Sequence, residues 1–203
     1  MYLKELSEKV WLTRNARFIA AKRMKRSRVS STAAVAMLSA SVIAVNLLAF
    51  IPNVSECCKN NVTIGTIVLS TFALVMSLLI TLLRYEWRED NYNQCGMELE
   101  ELNQEILIRI GELMHENNGA VGVDSPKEDN LDFLEKYTKV LQRYNLNHMM
   151  FDYRYGRLTD SKLNLSWYFK TWMHIRFYVL DVWLIYWIVA IAPVILITYV
   201  FFM

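Results

Sequence analysis

Hydrophobic positions gather into three blocks, 29–55, 60–83 and 182–203, and no block contains a charged residue. Each reaches the roughly 20 apolar residues that a helix needs to cross hydrocarbon, and core helices of soluble domains rarely stay uncharged that long. Inside a bilayer the backbone must satisfy its own hydrogen bonds, which segments rich in Ala, Leu, Ile and Val do as helices. The ten-residue alternation of a membrane barrel is absent. The pattern predicts an all-α integral membrane protein with three transmembrane helices.

Between the second and third blocks the period changes. Apolar residues recur at Leu99, Leu102, Ile106, Ile110 and Leu113, with Glu98, Glu100, Glu101, Glu105 and Glu112 on the other faces. That three-and-four spacing predicts an amphipathic helix from Tyr85 to about Asn118. Asn117, Asn118, Gly119, Gly122 and Pro126 end it, and a mobile loop is expected over about 119–130. A second helix is expected to resume near Leu131, with Leu134, Tyr137, Leu141, Tyr144 and His148 at heptad-like steps. The two would form a long helical hairpin or bundle, and their stripes suit either packing within the chain or an inter-chain coiled coil.

Four regions follow: a basic amphipathic helix over 1–28, a two-span hairpin over 29–83, a polar helical region over 84–177 and a third transmembrane helix over 178–203. Charge orients them. Residues 1–28 hold nine Lys or Arg against Glu5 and Glu8, whereas 84–181 hold twelve Lys or Arg against seventeen Asp or Glu. Positive flanks stay inside, so the N-terminal arm and the long polar region are expected in the cytoplasm, the 52–60 loop outside, and Met203 outside. A cleavable signal peptide would need a shorter charged region and an apolar core of about 7–15 residues, so the first block is expected to be retained. The acidic helix is expected to meet the basic arm, although exposed ion pairs contribute only about 0–1 kcal/mol each.

Before the third block, Trp167, Tyr168, Phe169, Trp172, Phe177 and Tyr178 interleave with Lys170, His174 and Arg176. Rings with a polar edge favour the headgroup layer, and beside a membrane span this reading outweighs stacking on single-stranded nucleic acid. No direct nucleic-acid binding is expected. Asp181 stands at the mouth of the third block, where it either pairs with Arg84 or Arg176 or sits at the interface.

Little in the chain supports chemistry. His115, His148 and His174 lie far apart without zinc spacing, and no glycine-rich phosphate loop or nucleophile elbow occurs. Neither enzymatic activity nor a cofactor or metal is expected. Cys57 and Cys58 are adjacent in the outer loop and Cys95 lies in the polar region, so an intersubunit disulfide is open and an internal framework is not. Asn53-Val54-Ser55 and Asn61-Val62-Thr63 match the glycosylation pattern, which a bacterial chain would ignore.

The spans carry polar lines of their own. Thr32, Ser39 and Asn46 follow Lys25 at seven-residue steps, and Thr63, Ser70 and Ser77 lead in the same way to Arg84. Seven residues are two helical turns, so each set lies on one side of its helix, facing other helices or water. Ala36, Ala40 and Ala44 add a small-residue line suited to close helix approach. Two readings stand: polar glue between helices, or the lining of a narrow water path in an oligomer. Neither line contains a carboxylate ring, so strong ion selectivity is not indicated.

Short motifs point to a family. Val10-Trp11-Leu12-Thr13, then Ala16-Arg17, Ala20 and Lys22-Arg23-Met24-Lys25-Arg26, resemble the signature that precedes the first span in SLATT-domain proteins, particularly the type-5 group. Tyr137-x3-Leu141-x5-Asn147-His148-x3-Asp152-Tyr153 is similar to that group's later tyrosine and Asn-His-x3-Asp-Tyr pattern. The order of basic helix, closely spaced spans, long polar helices and a further span also matches. The resemblance implies a membrane effector of bacterial antiphage systems in the inner membrane. Such an effector homo-oligomerises into a pore when a separate sensor, nucleotide-signal or reverse-transcriptase component is activated, and so causes cell death or growth arrest. It also implies assembly roles for Trp11, Thr13, Arg17, Arg23, Asn147, His148, Asp152 and Tyr153. His148 and Asp152 stand four apart on one helical face, as a locking contact or as a switch. A non-conducting membrane adaptor that recruits a soluble partner is the alternative.

Overall fold

The computed structural model describes residues 3–48, 56–116, 127–146, 152–154, 168, 171–172 and 191. Among them the regular structure is helical throughout: α1 Leu3–Leu48, α2 Glu56–Leu83, α3 Tyr85–Glu116 and α4 Lys127–Tyr144. The basic arm and the first apolar block thus form one unbroken helix, because Ser30, Ser31 and Thr32 interrupt neither backbone bonding nor period. The Ser31 and Thr32 hydroxyls donate to the Arg28 carbonyl at 2.9 Å. α2 starts inside the expected 52–60 loop, so Cys57 and Cys58 belong to its first turn. The last residues expected in the first span, 49–55, and nearly all of 182–203 lie outside the described residues.

The chain divides into two compact units, Met1–Lys22 with Trp87–Lys170, and Arg23–Glu86 with Thr171–Met203. In the first, the beginning of α1 packs with α3 and α4. Its core joins Leu3, Leu6 and Val10 to Cys95, Leu99, Leu102, Ile106 and Leu113 and to Phe133 and Tyr137. Ile110, Leu134, Leu141 and Tyr144 are partly buried around it, so the apolar stripes expected of α3 and α4 do face the core. Gly96 lets α1 approach α3 closely, since a Cβ there would stand 2.8 Å from Cε1 of Phe18.

Acids on α3 find cations on both neighbours. Glu100 pairs with Arg14 of α1, Glu98 accepts from Arg143 of α4 at 2.9 Å, and Glu105 accepts from Lys136 at 3.2 Å. Within this unit the basic arm therefore supplies Arg14, and α4 supplies Arg143 and Lys136. α4 begins earlier than its apolar period suggests, and 127–130 are helical where a loop was expected. Asp129 explains the extension, because its carboxylate accepts from Arg109 Nε at 2.8 Å and ties the first turn of α4 to α3.

In the second unit, Arg28 of α1 pairs with Glu86 of α3 at 3.0 Å. Arg84 separates α2 from α3 with φ 48°, a left-handed conformation that costs a non-glycine residue about 1–2 kcal/mol. Its N–H still donates to the Thr81 carbonyl at 3.3 Å. Asn145 ends α4 in the same way at φ 40°, as asparagine does readily.

Candidate functional site

Each long helix is organised by a seam of seven-residue steps. On α1, Leu3, Val10, Arg17, Met24, Ser31, Leu38 and Val45 are all buried, as are Leu6, Thr13, Ala20, Ser27 and Ala34 on the accompanying line. A 3.5-residue period of this kind favours a left-handed supercoil. On α2 the most enclosed positions, Val62, Thr66, Leu69, Ala73, Met76 and Ile80, follow the same alternation of four and three.

The polar lines stand beside these seams rather than in them. Thr32, Ser39 and Asn46 each follow a seam residue of α1, Thr63, Ser70 and Ser77 each follow one of α2, and all six are exposed, as is Arg84. One residue is about 100° around a helix, so the lines flank the packed faces. Their hydroxyls bond backwards: Thr32 to the Arg28 carbonyl and Ser39 to that of Val35 at 2.9 Å, and Ser70 to that of Thr66 at 2.6 Å. Asn46 has no backward bond of this kind among the described residues. Ala36, Ala40 and Ala44, expected at a close helix contact, are also exposed, and Ser31, Ala34, Leu38 and Val45 make the packed face of α1 instead. Large apolar residues around these lines, among them Ile43 and Leu47 on α1 and Ile64, Val68, Leu74 and Leu82 on α2, are 61–75% exposed.

The motif residues of the N-terminal arm are explained by the first unit. Thr13 is buried; its hydroxyl donates to the Lys9 carbonyl at 2.9 Å and accepts from the Tyr137 hydroxyl at 3.0 Å. Arg17 is 4% exposed, donates to the Leu146 carbonyl and lies 5.8 Å from the Tyr92 ring centre. Trp11 is half-buried under the Arg14 guanidinium, 5.8 Å from its ring centre. Arg23 is buried at the start of the second unit. Asp152 is fully buried and Tyr153 half-buried in a short helical turn, while Asn147 and His148 lie outside the described residues. The His148–Asp152 contact therefore does too. Of the aromatic segment, Tyr168 and Trp172 are described and exposed; Asp181 is not described.

Three core features escape the apolar pattern. Ser7 donates to Asn103 at 2.9 Å in a buried bond, Arg17 occupies a seam position, and Cys95 is fully buried. Burial pushes the Cys95 thiol up, against the nearby Arg17 charge and with a smaller push from Glu98. A protonated, enclosed thiol is a packing group rather than a nucleophile. Among the described residues no group of three His, Cys, Asp or Glu is placed to hold a metal ion.

Tyr144 gives the unit a pH signature. Burial and a 2.7 Å hydrogen bond donated to Glu98 push its phenol up to about 12. Above pH 10 the unfolded chain releases this proton first, so the stability it contributes is present below pH 10 and is lost as pH rises to about 12. Denaturant midpoints measured across that window should fall for the native chain, and Tyr144→Phe should flatten part of the fall.

Two helices are long and apolar enough to cross a membrane, and only 22% and 17% of their most apolar stretches are buried, unlike the core helix of a soluble protein. Together with the polar three-helix unit they define a helical membrane protein. The family model for the SMODS and SLOG-associating 2TM effector domain, family 5, matches residues 1–199, and the chain belongs to that family. Its membrane-effector character follows from that membership. No curated protein and no solved structure matches the chain.

Proposed function

We propose that this chain is the pore-forming effector of a bacterial antiphage system. It resides in the inner membrane with its N-terminus in the cytoplasm, and it oligomerises and dissipates the membrane potential when a separate sensor component is activated. The family name supplies the partner class, since its members are described as associating with SMODS and SLOG. The last apolar block, 182–203, is assigned as a third crossing that leaves Met203 in the periplasm.

One observation carries the conducting part: both apolar helices leave a polar line exposed beside a more enclosed seam, buried on α1 and mostly half-buried on α2. Three helices cannot enclose a water path, but a cyclic oligomer can close one by turning such lines inward. The seam then holds each protomer together, and Thr32, Ser39 and Asn46, or Thr63, Ser70 and Ser77, face the lumen. The activity needs no chemistry of the chain's own.

A voltage-sensitive dye in bacteria carrying this chain and its partner component tests the reading. Phage challenge should produce depolarisation that precedes lysis and requires the chain. Growth arrest with the potential intact would instead identify a non-conducting adaptor.

A further inference from the structure

The polar unit has an apolar face that its own packing leaves open. α3 turns Tyr92, Leu99, Ile106 and Leu113 inward. On its outer side Met97, Glu101, Gln104, Ile108 and Gly111 recur at alternating four- and three-residue steps, with Leu107 and Met114 alongside. Ile108 is 64% exposed, Leu107 52%, Met114 50% and Met97 48%. The row has heptad spacing, and Leu107, Ile108 and Met114 make an exposed apolar patch around Gly111, with Met97 beyond Glu101 and Gln104; such a patch marks an interaction site.

Gly111 sharpens the point. A Cβ there would meet nothing within 4 Å, so no contact among the described residues requires glycine at that position. Glycine in a helix interior is destabilising relative to alanine, and here it leaves a notch between apolar walls. Such a notch suits the close approach of another helix.

Charge identifies the occupant. α3 holds nine Asp or Glu against Arg88 and Arg109, too acidic for a lipid-facing surface. Glu98, Glu100, Glu105 and Glu112 are engaged by cations of the unit, whereas Glu101, in the middle of the open face, makes no ion pair among the described residues. A second copy presenting the same face would set the exposed Glu101, and beside it Glu105 and Glu112 at 56% and 54% exposure, near their counterparts. A helix with apolar residues on one side and Lys or Arg along its rim satisfies both the strip and the charge.

We infer that the outer face of α3 is the docking surface for a basic amphipathic helix of a separate soluble protein. This rests on the separate-partner element of the proposed function and supplies its site: a helix-in-groove contact anchored at Ile108 and Gly111 and oriented by Glu101.

The test uses the full chain in uncharged detergent micelles and two labelled helical peptides. Both peptides have Leu at the a and d heptad positions; one carries Lys at e and g, the other Glu. Fluorescence anisotropy, corrected for binding to micelles alone, should show saturable binding of the Lys peptide at least tenfold tighter than the Glu peptide and weakened by salt. Ile108→Lys and Gly111→Lys should each lower that affinity at least tenfold with the thermal midpoint unchanged or raised, since both positions point away from the core. Glu135→Lys on α4 should leave affinity unchanged. Equal binding of the two peptides, or binding indifferent to Ile108→Lys, overturns the proposal. So does a photoreactive residue at position 104 that joins two copies of the chain in the absence of peptide, because the face then belongs to self-association. Ion flux from liposomes holding the wild-type chain together with its activated sensor component is measured in parallel. Flux without peptide binding removes the docking surface alone, and peptide binding without flux removes conduction alone.

Discussion

Replacing Leu99 by alanine is expected to lower the unfolding free energy of the α1–α3–α4 unit by about 2–5 kcal/mol, the range for emptying a fully enclosed leucine site. Leu99 has 0% exposure and belongs to the core shared by the three helices, so no side chain can fill the space without leaving another contact. Transfer of the lost methyl groups accounts for part of the cost and the residual cavity for the rest. Leu107, eight positions further on the outer face and 52% exposed, provides the control, and its alanine variant should stay within about 0.5 kcal/mol of the parent. Hydrogen exchange of α3 amides across a denaturant series measures both in the full chain. A Leu99→Ala variant as stable as Leu107→Ala would mean that α3 does not pack through this face.

The burial of Leu99 is legible in the amino-acid pattern because Leu99, Leu102, Ile106, Ile110 and Leu113 recur at helical spacing, although Leu107 and Ile108 interrupt the contrast on the outer face. The same signal fails on α1, where the seam line runs Leu3, Val10, Arg17, Met24, Ser31, Leu38 and Val45 and mixes charged and hydroxyl residues with apolar ones. In the basic arm the polar residues find partners within the unit: Thr13 in Tyr137 and Lys9, Ser7 beside the seam in Asn103, and Arg17 in the Leu146 carbonyl and the Tyr92 ring, while the buried Arg17 Nε has no hydrogen-bond partner among the described residues. Further along, the non-seam residues are apolar as well, because they lie in a span. Only the seven-residue recurrence itself, applied without regard to polarity, locates the seam there. Val10, Thr13, Arg17 and Ala20, which carry the family resemblance, lie on that seam and its accompanying line, with buried Ala16 beside them. The pairing of Arg14 with Glu100 follows from opposite charge, whereas the share taken by α4 depends on a chain reversal whose register the loop sequence does not encode.

The polar lines of the spans are legible as lines, but their relation to the packing is not. Their exposure in the single chain leaves them open to either role in an oligomer, glue or lining. A hydroxyl that donates to the carbonyl four residues earlier is already satisfied, so Ser39 and Ser70 do not require a partner helix. Interhelical hydrogen bonds in bilayers average only about 0.6 kcal/mol, which is too little for one such residue to hold an assembly. Ser39→Leu combined with Asn46→Leu on α1, or Ser70→Leu combined with Ser77→Leu on α2, should therefore leave the oligomer intact. Whichever line borders the lumen, its leucine variant replaces water-binding groups with a hydrophobic constriction that dewets. With the activated sensor component present, potassium release from proteoliposomes should fall to the level of empty vesicles for that pair and stay near the parent for the other, with subunit number followed by crosslinking. Asn46 is the most informative single position, because its amide carries two donors and an acceptor with no backward bond on its own helix. Loss of assembly in Asn46→Leu would assign the line to helix contacts; intact assembly without flux would place it in the conduit.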